Sequence, residues 1–231
     1  ATSSGGIVLS TVDAGATGIS GSLHFSTGTT STGGSGSISL FTGAATNGEG
    51  GDVLVSVGKS KTDTGGDIYA IAGDSEPFTG GAISLTTGEG TDTSSGAFIV
   101  RTVNAGVLGT SGLMSFTSGT TSSGTSGEIS IATGTATNGK GGDILMSIGS
   151  GTTYTGGDIV ATAGLSTATT AGTGGAVSIT TGYGHPTSSG KFIVQTSDAG
   201  TSGVSGAMSF TTGTTSTGAS GSISLFTGAA T

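Results

Sequence analysis

The chain has no cysteine and no tryptophan among its 231 residues, only two prolines and two histidines, and five lysines and arginines together. Each scarcity removes a class of protein. Without Cys there is no disulfide scaffold, no thiolate metal site and no thiol chemistry. Five cationic side chains against thirteen acidic ones give a formal net charge of −8. That sign is wrong for a phosphate backbone, so nucleic acid is excluded as a partner. Charged residues make up 8%, against about a quarter in ordinary globular chains. Long hydrophobic runs are missing too. The apolar stretches are short, such as Phe98-Ile99-Val100, whereas a membrane-spanning helix needs roughly 20 residues, and no membrane span is expected. The chain does not open with Met or with a charged-then-apolar leader, which points to a mature or internal piece of something longer.

What is present is Gly, Ser and Thr: 50 Gly and 82 Ser and Thr, more than half of the chain. Such a composition normally marks a disordered linker, because it buries too little apolar surface to offset the entropy of ordering. A period changes that expectation. A small residue, then Gly, then an apolar residue two places on recurs from Gly6, Gly21, Gly36, Gly51, Gly66, Gly81 and Gly96. It continues from Gly112, Gly127, Gly142, Gly157, Gly175, Gly190, Gly206 and Gly221. The spacing is 15 residues, with one extra residue before Gly112 and Gly206 and three before Gly175.

The second place after each anchor is apolar throughout, from Val8, Leu23 and Ile38 to Phe192, Met208 and Ile223. The fourth is apolar in all but the first repeat, where Ser10 departs. Alternation of period two over about six residues is a strand pattern, with these two columns facing inward. Helix is excluded, since no Gly-free stretch allows three turns. The Gly seven places on, such as Gly28, Gly43 and Gly73, is expected to make a turn with positive φ. Two residues later comes a small column, Thr30, Ala45, Ser60, Ser75 and Gly90, read as a second, shorter strand. Two large side chains buried per repeat contribute roughly 3–6 kcal/mol, against about 1–2 kcal/mol to order each of its residues. Stability must then come from stacking repeat on repeat at about 4.8 Å. The expected fold is all-β: a β-solenoid (β-helix) of about fifteen 15-residue rungs, a rod roughly 70 Å long.

A longer period of about six rungs lies above the short one. Thr46-Asn47-Gly48-Glu49-Gly50-Gly51-Asp52 returns as Thr137-Asn138-Gly139-Lys140-Gly141-Gly142-Asp143. One continuous domain, 1–231, therefore divides into long repeats of approximately 21–111 and 112–205 and a partial one, 206–231. The last rung is cut short and neither end looks capped, so the sequence reads as a slice of a longer array or as a rod that stacks head to tail.

The odd places after each anchor face outward. Apolar residues recur there in matching rungs: Leu54 with Tyr69, Leu145 with Val160, then Ile99 and Ile193, with Phe41, Ile71 and Phe226 five places after their anchors. Recurrence at a fixed axial interval is what a lateral contact between rods needs, and these nine are the candidate interface. Outward hydroxyl pairs such as Ser115 with Thr117 and Ser209 with Thr211 raise ice binding as an alternative. Asp52, Leu54, Asp67, Tyr69, Arg101 and Gln195 interrupt that array. Asp52 and Asp67, and likewise Glu128, Asp143 and Asp158, occupy one outward position on successive rungs, an arrangement that could take Ca²⁺. The nine-residue spacing of calcium-binding repeats is missing, and a solubilising Asp at a strand start is the plainer reading. For catalysis the chain offers little. His24 and His185 have no partner at motif spacing, and no pocket or cofactor is expected. Asn47, Asn104 and Asn138 begin no glycosylation sequon, while clusters such as Thr29-Thr30-Ser31-Thr32 offer hydroxyls for O-linked sugar.

Taken together, the rung length, the small-Gly anchor and the Thr-Gly step resemble the Gly/Ser/Thr-rich tandem-repeat β-solenoid arrays of extracellular surface proteins, the fibrous and adhesin-like proteins of bacteria, protists and algae. The resemblance implies a non-enzymatic structural protein at the cell surface. It would form the rod or filament of an extracellular fibre or sheath by lateral and head-to-tail self-association. An adhesin stalk carrying a tip domain, or an ice-binding solenoid, is the alternative.

Overall fold

The computed structural model describes residues 4–153 and 155–229. Its contacts divide into two units, Ala1–Ser115 and Phe116–Thr231, and the boundary falls four residues into the second long repeat. The expected β-solenoid is not formed. Among the described residues none lies in a strand or a helix, and none is buried. The accessible surface is 23083 Å²; a folded chain of 21.4 kDa exposes about 9,000 Å² and a fully extended one about 31,000 Å².

The reason lies in what a stacked sheet requires. Neighbouring strands must sit about 4.8 Å apart and exchange hydrogen bonds along their length. Among the described residues the backbone–backbone hydrogen bonds are instead local. The Gly18 amide donates to the Gly15 carbonyl at 3.1 Å, Gly81 to Gly73 at 2.8 Å, Gly96 to Gly88 at 3.0 Å, Gly175 to Gly164 at 2.9 Å and Gly190 to Gly182 at 3.0 Å. With two large apolar side chains per 15 residues, and Gly weakening every extended stretch, burial within one chain does not hold successive repeats at sheet spacing. The second, shorter strand is absent for the same reason.

What the sequence builds is a chain of open loops, one per repeat, in both units. In most repeats the stretch that carries the apolar alternation is followed by a three-residue bend, as at 31–33, 46–48, 61–63, 122–124 and 216–218. In nearly every repeat the bend ends three residues before the next anchor. Where the repeat has one residue more, the bend moves with the anchor that follows, to 107–109 before Gly112 and 201–203 before Gly206. The single extra residue before Gly112 and before Gly206 is thus absorbed ahead of the bend.

At the anchor the chain folds back onto the residue six places into the preceding repeat. A β-carbon on Gly36 would lie 3.4 Å from the Thr27 side chain, and the same relation joins Gly51 to Thr42, Gly142 to Thr133 and Gly221 to Thr212. It is tightest where that residue is largest: 2.8 Å to Val57 Cγ1 from Gly66, and 2.8 Å to Ile148 Cγ2 from Gly157. Gly at the anchor is therefore needed for close approach. This contact also corrects the first repeat. Gly21 faces Thr11, which lies six places after Gly5, so the anchor is Gly5 and not Gly6. The apolar columns then begin with Ile7 and Leu9, Ser10 ceases to be an exception, and the first spacing gains the same extra residue as those before Gly112 and Gly206.

The turn glycine is also corrected. Positive φ occurs at Gly33, Gly109, Gly124 and Gly218, all at the last place of a bend. The Gly seven places after the anchor serves instead as a hydrogen-bond acceptor for the next anchor, as Gly73, Gly88 and Gly182 do.

Candidate functional site

The second-place column remains the less exposed one even without a sheet. From Leu23 onward, side chains two places after the anchor are 43 to 63% exposed, whereas the nine candidate interface residues span 71 to 91%. The two sets do not overlap. The large fourth-place side chains, equally expected to face inward, span 53 to 93% from Phe25 to Leu225 and overlap the outward set, so the solenoid core is missing and only the second-place column is set apart. Phe41, Leu54, Tyr69, Ile71 and Ile99 lie in the first unit, and Leu145, Val160, Ile193 and Phe226 in the second. Tyr69 donates its hydroxyl to the Asp67 carboxylate at 3.0 Å. Their spacing of two residues fits a shared face.

Among the described residues the most covered positions are small: Ser60, Gly90, Ser166 and Gly184 nine places after their anchors, and Ala72 and Ala163 six places after. The small column is therefore where the loops close most tightly. A β-carbon on Gly90 would stand 2.5 Å from the Ser94 carbonyl oxygen, and one on Gly184 would meet the Ser188 carbonyl in the equivalent place.

Three bends with the sequence Gly-Thr-Thr-Ser-Thr/Ser-Gly share one geometry. Thr30 Oγ1 donates to the Thr32 carbonyl at 3.0 Å, Thr121 Oγ1 to the Ser123 carbonyl at 2.9 Å and Thr215 Oγ1 to the Thr217 carbonyl at 3.0 Å. Each is followed by a positive-φ glycine, Gly33, Gly124 or Gly218. The hydroxyls of these clusters are partly turned onto their own backbone. At the acidic positions, Lys140 pairs with Asp143 at 2.7 Å across three residues, both well exposed. No group of three or more His, Cys, Asp or Glu side chains that could hold a metal ion occurs among the described residues. The His185 ring lies 6.3 Å from that of Tyr183, tilted by 50°.

Two shallow clefts escaped the sequence reading. One, of about 260 Å³, is lined by Phe116, Ile129, Ser130 and Ile131. It brings the fourth-place side chain of one repeat beside the second- and fourth-place side chains of the next, without closing the gap between them. The other, of about 290 Å³, is lined by the consecutive residues Arg101, Thr102, Val103 and Asn104. Neither holds a nucleophile paired with a base. No helix among the described residues is long and apolar enough to cross a membrane. No family model, curated protein or solved structure matches the chain.

Proposed function

We propose that the chain is a structural protein of an extracellular fibre or sheath, working by association of its own copies through the outward apolar columns. The observation that carries this reading is the periodic exposure of the large hydrophobic side chains of the outward columns, from Phe41 and Leu54 to Ile193 and Phe226. A single chain in this form gains little from burial, while ordering each residue costs about 1–2 kcal/mol. Large, recurrent apolar exposure of this kind marks an interaction surface. A second copy carries the same columns at the same intervals, so contact made at Leu54 and Tyr69 can repeat at Leu145 and Val160. The abundance of hydroxyls and the absence of Cys suit a cell-surface setting, and the role is non-catalytic.

Negative-stain microscopy of native material, with sedimentation of the purified chain, tests this. Fibres of defined width and concentration-dependent sedimentation are expected. Unbranched single stalks ending in a globular tip would favour an adhesin stalk, and thermal hysteresis well above that of an ordinary protein would favour ice binding.

A further inference from the structure

The two Asn-Gly pairs of the chain occupy equivalent bends of the long repeats. Asn47-Gly48 lies in the bend at 46–48 and Asn138-Gly139 in that at 137–139. Both asparagines are exposed, and a β-carbon placed on Gly48 or Gly139 would meet nothing within 4 Å. The amide nitrogen after each asparagine therefore carries neither a side chain nor a close neighbour that would shield it. The third asparagine differs in its follower and its place: Asn104, also exposed, precedes Ala105 and lies ahead of its bend at 107–109.

We propose that Asn47 and Asn138 are sites of spontaneous intramolecular deamidation, which places an added carboxylate in the same bend of successive long repeats as the protein ages. The Gly48 or Gly139 amide nitrogen loses its proton and attacks the asparagine Cγ. The N–Cγ bond forms, the Cγ–Nδ2 bond breaks, and the side-chain nitrogen leaves as ammonia with the proton. Water then opens the resulting succinimide at either carbonyl to give aspartate or isoaspartate. No oxidant or reductant is needed, and water is the only co-reactant. Each event adds one negative charge to a chain of net charge −8.

The residue two places after each asparagine sets the order. Lys140 follows Asn138, whereas Glu49 follows Asn47. The attacking species is an amide anion, which a neighbouring cation favours and a neighbouring carboxylate disfavours. Asn138 reacts first, then Asn47, and both precede Asn104.

The full-length chain, incubated in mildly alkaline buffer at physiological temperature, is digested at intervals and mapped by mass spectrometry with chromatographic separation of aspartate and isoaspartate peptides. Conversion at 138 and 47 several-fold faster than at 104, slowed several-fold by Gly139→Ala or Gly48→Ala at the adjoining site, is expected. Lys140→Glu should bring the rate at 138 down to that at 47. Equal rates at all three asparagines would overturn the proposal, and faster conversion at 47 than at 138 would overturn the role given to residue 140.

Discussion

The Gly81 amide donates to the Gly73 carbonyl at 2.8 Å, and in the next long repeat Gly175 donates to Gly164 at 2.9 Å across a loop three residues longer. The closure is preserved while the loop between its ends changes length. Loop length adds little to the cost of closing: each doubling contributes about 0.6 kcal/mol. The ends are therefore what the repeat specifies, and the loop is where it tolerates insertion. Amides at Gly81, Gly96, Gly175 and Gly190 should exchange with solvent more slowly than those of Gly36 and Gly51, which make no such bond. An exposed hydrogen bond of about 0.5–1.5 kcal/mol corresponds to roughly two- to tenfold protection, readable by NMR exchange. Equal rates at all six amides would show that the loops do not close in solution.

The approach of Gly66 to Val57 makes a second case. A β-carbon at position 66 would lie 2.8 Å from Val57 Cγ1, and a β-branched side chain has little rotamer freedom with which to retreat. Gly66→Ala should separate the two segments, at a cost below the roughly 1–3 kcal/mol typical of overpacking in a core, because Val57 is 45% exposed. The nuclear Overhauser contact between a Val57 methyl and the residue 66 α-proton should disappear. Val57→Ala combined with Gly66→Ala should restore the close approach, read between the single methyl left at position 57 and the residue 66 α-proton. Gly28→Ala, at a position with open space around it, should leave every such contact in place.

These contacts also show which parts of the molecule were legible in the sequence. The 15-residue period depends on local identity alone and survives in the spacing of the bends, whereas the inward sense holds only for the second-place column: Leu40 and Leu225, also expected inward, are 83% and 93% exposed. The stacked sheet was not legible, because it depends on whether two apolar columns bury enough surface to hold repeats together, and within one chain they do not. In the first repeat Gly5-Gly6 offers two anchors, and the polar Ser10 four places after Gly6 is the sequence sign that Gly5 is the right one. The Thr-Gly step is where the sequence pattern places positive φ, whereas it occurs at bend-ending glycines such as Gly33; a Gly alone does not say which of its freedoms is used. Among the described residues no large apolar side chain is buried, so exposure does not by itself single out the nine interface residues, and what covers them is not written in a single chain.

The Thr-Thr-Ser bends give a third prediction. Gly124 has φ of 107°, a region that costs a residue with a β-carbon about 1–2 kcal/mol. The neighbouring Thr121 hydroxyl bond to the Ser123 carbonyl is exposed and contributes at the lower end of about 0.5–1.5 kcal/mol. Gly124→Ala should therefore disturb the 122–124 bend more than Thr121→Val does, as read from backbone couplings and chemical shifts across 120–126. The equivalent bend at 216–218 should be unchanged in both variants.

Association should respond to salt and to the outward columns in opposite ways. Copies of net charge −8 repel one another, and raising ionic strength from about 0.01 M to 0.15 M shortens the screening length from about 30 Å to about 8 Å. If apolar contact drives association, added salt should lower the concentration at which the chain begins to sediment as assemblies. Replacing Leu54, Tyr69, Leu145 and Val160 together by Ser should raise that concentration at every salt level, since each fully covered side chain contributes about 1.5–3 kcal/mol. Substituting exposed hydroxyls such as Thr29 and Thr120 by Ala should change it little. A quadruple variant that assembles like the parent would remove the interface assignment. Assembly that weakens with salt would instead indicate ion pairs, with Lys59, Lys61 and Lys140 meeting carboxylates of another copy.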